Sequence, residues 1–137
     1  MTVTTEGPSV GPTLFIDRDT WSAKLGTALK AAGIPFEAHH NHFEPDEIDA
    51  TWIRSVAARG WVIVTRDKAI RHRPAELAAV RDGRAHLFAL TSGNLSAADT
   101  AAVIVAAWPH LRKAVARQRA PALYAVHRDG RVVLLKR

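Results

Sequence analysis

The chain has 137 residues, 47% of them hydrophobic and 23% charged, and its 19 Lys and Arg against 13 Asp and Glu give a formal charge of +6. Length and composition describe one folded domain with room for a core and exclude a disordered or fibrous chain. With no cysteine, disulfides, thiolate metal sites, iron–sulfur clusters and cysteine nucleophiles are excluded too.

Met1 to Gly11 carries Glu6 and Pro8, with neither a cationic patch nor an apolar run. It does not read as an export signal; a flexible arm over residues 1–11 is expected, with a single domain over 12–137. Thr13 to Ile16 predicts a buried strand that stops at Asp17. From Thr20 to Ala32, the spacing of Trp21, Leu25, Ala28, Leu29 and Ala32 predicts a helix terminated by Gly33. Ile34 to Ala38 suits a second, short strand. Glu44 to Ala58 places Ile48, Trp52, Ile53, Val56 and Ala57 on one helical face. Glu44, Asp46, Glu47 and Asp49 crowd its start, where the helix macrodipole favours acids. Trp61 to Thr65 is β-branched and uncharged, a strand running into Arg66 and Asp67. Pro74 fits the first position of a helix to about Arg81. Ala85 to Leu90 predicts a further strand. Ser96 and Asp99 form a capping start for a helix to about Gln118, which Pro109 should kink or divide. Leu123 to Val126 and Arg131 to Leu135, around Asp129-Gly130, predict a β-hairpin. The longest uncharged apolar stretch, Thr100 to Leu111, falls short of the ~20 residues of a bilayer span. No membrane contact is therefore expected, and a cytoplasmic location is. Strand–helix alternation of this kind implies an α/β domain with a mostly parallel, helix-covered sheet.

In an open α/β sheet, ligands bind beyond the carboxyl ends of the strands, where Asp17 and Asp67 stand. Either acid alone can simply cap the turn that follows it. As a pair at equivalent strand ends they lean toward function, because converging carboxylates repel unless a cation or a shared proton intervenes. Oxygen-only ligands suit Mg²⁺ or Mn²⁺. The basic run Arg66, Lys68, Arg71, His72 and Arg73 around Asp67 suits phosphate gripping. A second basic set, Arg112, Lys113, Arg117 and Arg119, reads as an RNA track or a solvated face. His39, His40 and His42 lack the spacing of a zinc site and are expected to be solvent-exposed. Trp21, Trp52 and Trp61 lie on apolar faces and are expected in the core, with Trp108 undecided. The basic balance makes nucleic acid the first partner to consider.

Phe-Ile-Asp17, then Asp49-x-x-Trp-Ile, Gly60 and Val-Ile-Val-Thr-Arg-Asp67-Lys, with Leu90-Thr-Ser-Gly-Asn-Leu-Ser96 beyond, resemble the PIN-like nuclease domains, in particular their compact VapC-like toxin branch. The resemblance covers about Thr13 to Trp108. It implies a three-layer α/β/α fold with a mostly parallel sheet, here followed by the C-terminal hairpin. It also implies an RNA-cleaving activity with Asp17, Asp49 and Asp67 as catalytic, metal-binding acids for Mg²⁺ or Mn²⁺. RNA would be the substrate and an antitoxin protein the partner; beside such a site, the basic run makes Arg66, Lys68, Arg71 and Arg73 the expected RNA-binding residues. The acid that related small members place just after Thr-x-Asp-Lys is absent, since Ala69 and Ile70 stand there. Asp46 is the additional metal-ligand candidate, Asp82 or Asp99 are further substitutes, and Ser92 and Asn94 offer neutral oxygens. A non-catalytic PIN-like module that binds RNA or protein is the alternative. The outer strand of the hairpin is a candidate contact for a second copy or an antitoxin.

Overall fold

The computed structural model describes residues 11–92 and 94–136, with the side chains of Lys68 and Arg71 outside the described set. The expected N-terminal arm therefore lies almost wholly outside the described residues, as does Gly93. Six strands and four α-helices alternate along the described chain: β1 (Leu14–Ile16), α1 (Ala23–Ala31), β2 (Phe36–Ala38), α2 (Asp49–Ala58), β3 (Val62–Thr65), α3 (Pro74–Gly83), β4 (His86–Leu90), α4 (Ala97–Arg117), β5 (Ala122–Val126) and β6 (Val132–Lys136). The strands form one sheet in the order β2-β1-β3-β4-β5-β6, parallel except for the antiparallel β5–β6 pair.

Alternation along each strand divides the core in two. Leu14, Ile16, Val62, Val64, Phe88, Leu90 and Tyr124 point to one face, under α1 and α4. Phe15, Ile63, Leu87, Ala89 and Leu123 point to the other, under α2 and α3. Burial on both faces explains why these strands read as unbroken apolar runs rather than alternating ones. Connectivity follows from the same division. The crossovers β1–α1–β2, β2–α2–β3 and β3–α3–β4 share one hand. In β4–α4–β5 the chain continues in the direction of the preceding two but places its helix on the opposite face, which reverses the hand that α/β crossovers ordinarily keep. The second face of the β5–β6 end is left with α3 alone beside it.

Three local expectations are corrected. The second helix begins at Asp49, not Glu44. Pro45 sits instead in a turn closed by Glu47 N–H donating to the Glu44 carbonyl (3.1 Å), a position where its fixed φ is favourable. The macrodipole thus accounts for Asp49 but not for Glu44, Asp46 or Glu47. Pro109 does not divide α4, which runs unbroken through it. Pro109 is exposed, while Ile104, Ala107, Trp108 and Leu111 hold the helix against the core on either side of it. The loop histidines are not uniformly exposed, because His39 is 1% exposed. Its ring joins Phe15, Phe43 and Trp52, with centroids 6.1, 5.4 and 5.7 Å away. The other expectations on caps and turns stand: Ser96 accepts from Asp99 N, Pro74 opens α3, and Gly130 takes a positive φ of 91° in the hairpin turn.

Candidate active site

β1 has β2 on one side and β3 on the other, so the chain reverses its direction of travel across the sheet at this point. Such a switch point opens a crevice at the carboxyl ends of the strands. Ile16 is in register with Val64 on β3 and with Ala38 on β2, which brings Asp17, Thr65 and His39 to the same edge.

Asp17 is 6% exposed. Its Oδ1 accepts from the Thr20 backbone N–H (3.1 Å) and from the Thr20 hydroxyl, and its Oδ2 accepts from the Thr65 hydroxyl at 2.5 Å. Burial raises its pKa to about 6 against the pull of these donors, and Asp19 nearby adds to the rise. Neighbouring oxygens are linked in turn: Thr20 Oγ1 accepts from Arg66 N (2.9 Å), and Thr65 Oγ1 from Asp67 N (3.0 Å). Asp17, Thr20, Thr65 and Asp67 are thereby one network across two parallel strands. Desolvation of the carboxylate is the opposing cost, and it keeps Asp17 protonated to a higher pH than an exposed aspartate.

Asp67 and Asp49 meet from different elements. Asp67 Oδ1 caps the short 3₁₀ turn that follows β3, accepting from Ala69 N at 3.0 Å. Its Oδ2 accepts from Arg73 Nη1 at 2.9 Å. Asp49, in the first turn of α2, is oriented through Oδ1 by the Trp52 indole N–H (2.9 Å) one helical turn on, leaving Oδ2 at 3.9 Å from the same Arg73 Nη1. One guanidinium therefore stands between two carboxylates, each with one oxygen fixed by its own local structure and the other turned to the cation. Alongside opens a cleft of about 500 Å³ lined by Asp19, Arg66 and Asp67. Ion pairs as exposed as these contribute roughly 0.2–1 kcal/mol each, so Arg73 is held loosely.

Of the expected site residues, Asp49, Asp67 and Arg73 are brought together, Asp17 lies behind them in the threonine network, and Arg66 lines the cleft. Asp46 is exposed. Asp82 pairs with Arg81, and Asp99 lies 3.9 Å from Arg128. Among the described residues, no three His, Asp or Glu side chains gather closely enough to hold a metal ion. The donor chemistry fits a hard divalent cation through Asp49 and Asp67, whose Oδ2 atoms both face Arg73. Sequence reading missed Thr20, Thr65 and Trp52. Each was signalled by spacing: a hydroxyl three residues after Asp17, another two before Asp67, and an indole at i+3 from Asp49 on a helix. His42, bonded to Glu37 (2.7 Å) and Arg59 (3.2 Å), is tied up outside the site.

Comparison with known proteins bears on this geometry. The family model described as PIN like domain matches residues 12–92, a span containing β1 to β4 and every acid of the crevice. The putative ribonuclease VapC45 of Mycobacterium tuberculosis (strain ATCC 25618 / H37Rv) is 28% identical over 118 residues, covering 83% of this chain and 85% of that protein. No solved structure matches the chain.

Proposed function

The chain belongs to the PIN-like domain family, and from that premise we propose that it is a ribonuclease that hydrolyses RNA phosphodiester bonds with Mg²⁺ or Mn²⁺. We place it as the toxin of a toxin–antitoxin pair, acting in the cytoplasm with RNA as substrate and an antitoxin as partner. The observation that carries the reading is the convergence of Asp49 and Asp67 on one cation, in front of the buried Asp17 at the switch point. The resemblance of the sequence to the VapC-like branch and the similarity to a putative ribonuclease support it further.

In this reading Asp49 and Asp67 hold the divalent ion, with Asp17 supporting them from behind and Asp46 the remaining candidate. When bound, such an ion acidifies water and neutralises charge on the phosphoryl oxygens. The chain's own residues do the rest. Trp52 and the Ala69 N–H keep the two acids turned to the crevice. Thr20 and Thr65 fix Asp17 and tie the end of β1 to that of β3, so the acids keep their relative positions. Arg66 and Arg73 bind the scissile phosphate, Arg73 changing partners from carboxylate to phosphate, for which its forked donors are well shaped. Lys68 and Arg71, next to them in sequence, extend the basic run along the RNA.

One observation favours a second reading, a PIN-like module that holds RNA or protein without cutting: no third acid joins Asp49 and Asp67 among the described residues. Purified protein incubated with RNA and Mn²⁺ or Mg²⁺, beside Asp49→Asn and Asp67→Asn, separates the two. Metal-dependent cleavage lost in both variants is the expected outcome. RNA binding without cleavage, indifferent to both substitutions, would establish the binding module instead.

A further inference from the structure

The formal charge of +6 is not spread evenly. Residues 110–137 hold eight Lys and Arg against one acid, Asp129, while residues 1–109 hold eleven against twelve. The whole surplus thus belongs to the end of α4 and the β5–β6 hairpin, and the part of the chain bearing the crevice acids is close to neutral. Asp129 itself is taken by Arg131 in the hairpin turn, through its N–H (3.0 Å) and its guanidinium (3.4 Å).

The same region exposes apolar surface. Val133, Leu134 and Leu135 of β6 are 38%, 37% and 45% exposed, and among the described residues no strand pairs with the outer edge of β6. Tyr124 opposes Leu134 and Val126 opposes Val132, so Leu134 and Val132 share the α4 face. A cleft of about 240 Å³ lies between them and α4, with His110, Lys113 and Arg117 on its helical side. Val133, opposite Ala125, points to the other face.

We propose that the outer edge of β6 is a docking site for an extended, acidic segment of another protein, which adds to the sheet as a further strand. Unpaired N–H and C=O groups of an edge strand are satisfied by strand addition. Every second side chain of the incoming strand would lie beside Val132 and Leu134, where acids reach Lys113 and Arg117. The intervening ones would cover Val133. A second copy of this chain is the wrong occupant: antiparallel pairing centred on Val133 and Leu134 sets Arg131 opposite Lys136 at both ends, and like charges directly opposed are destabilising. RNA fits less well, because phosphate gains nothing from three exposed aliphatic side chains, and the aromatic of this face, Tyr124, is buried rather than available for stacking. The surface is separate from the crevice acids and does not depend on their chemistry.

The test uses isotope-labelled full-length protein and a short peptide of alternating Glu and Val, with an alternating Lys and Val peptide and a short oligouridylate as the other probes. The acidic peptide should shift the amide resonances of Val132 to Leu134 and slow their hydrogen exchange, and salt should weaken it. Lys113→Glu combined with Arg117→Glu should weaken it roughly tenfold, about 1.4 kcal/mol, and Val133→Ser with Leu134→Ser should weaken it as well. RNA cleavage should be unchanged in both double variants, which keeps this test independent of the ribonuclease reading. Three outcomes would overturn the proposal: oligouridylate bound on this surface while the peptide is inert, self-association that protects the same amides while the peptide is inert, or peptide bound with its shifts elsewhere.

Discussion

The crevice between β1 and β3 and the hairpin at the far side of the sheet handle charge in opposite ways. In the crevice, Asp17, Asp49 and Asp67 each have named partners: two threonines for Asp17, an indole for Asp49, a backbone amide and Arg73 for Asp67. At the hairpin, cations outnumber acids and aliphatic side chains remain in water. The contrast shows that net charge and chemistry need not share an address. A basic total invites a search for phosphate at the C-terminal surplus, yet the acids of the proposed active site stand in the part of the chain where acidic and basic residues nearly balance.

Breaking the crevice should have the largest effect. Asp67→Asn and Asp49→Asn should each lower cleavage by about 10²-fold or more, the scale on which loss of one electrostatic group is felt in an active site, in a single-turnover RNA assay. Comparable losses from Lys113→Glu with Arg117→Glu would erase the division between the two regions.

Stability sharpens the contrast next. Asp17 has a folded pKa near 6 against 3.8 when free, so the folded state holds a proton that the unfolded state releases. Its contribution is intact below pH ~4 and falls away as pH rises toward 6, reaching a loss of about 3 kcal/mol above that, at about 1.4 kcal/mol per unit. Asp17→Asn should therefore raise stability by up to that amount at pH 7 and by little at pH 4, while abolishing or impairing cleavage. Urea titrations at the two pH values measure this. A variant stabilised equally at both would show that burial is not what strains the carboxylate.

At the hairpin the strain is steric. Gly130 sits at a φ of 91°, and a Cβ built there would lie 2.9 Å from Ala106 Cβ and 3.0 Å from the Ala106 backbone. Gly130→Ala should cost roughly 1–3 kcal/mol in thermal or chemical unfolding, leaving the crevice's pH dependence as it was. That result would show the turn to be anchored on α4, which is what holds β6 in place as an edge.

How much of this was legible in the sequence depended on range. Buried runs such as Val62 to Thr65 declare themselves because both faces are covered, and Pro74 and Ser96 act within one turn. The start of α2 was misread because acids at Glu44 to Glu47 imitate a helix terminus, while Pro45 in fact closes a turn before the helix begins. Pro109 does not divide its helix because Ile104, Trp108 and Leu111 pack the helix onto the core on both sides of it, a tertiary fact. His39 was misplaced because its burial comes from Phe15 and Trp52 folding over it from other elements. The acid positions were legible, but the meeting of Asp49 with Arg73, 24 residues apart in sequence, was not. Nothing local encodes it. The reversed hand of β4–α4–β5, which leaves the hairpin's second face without a helix of its own, was equally invisible.

The smallest effect concerns Arg73, the cation paired with the crevice carboxylates. It contributes roughly 0.2–1 kcal/mol per ion pair and occupies the space toward which the Oδ2 atoms of both carboxylates turn. A divalent ion bound by Asp49 and Asp67 has to displace it. Arg73→Ala should therefore tighten Mn²⁺ binding by up to about fivefold, the equivalent of that energy, in calorimetry on RNA-free protein, while weakening RNA binding. Arg73→Lys should tighten the ion less than Ala does, because a cation remains within reach of the two carboxylates. Mn²⁺ affinity unchanged in both variants would mean that the ion binds elsewhere than between Asp49 and Asp67. The crevice carboxylates would then serve to neutralise Arg73 rather than to hold a metal.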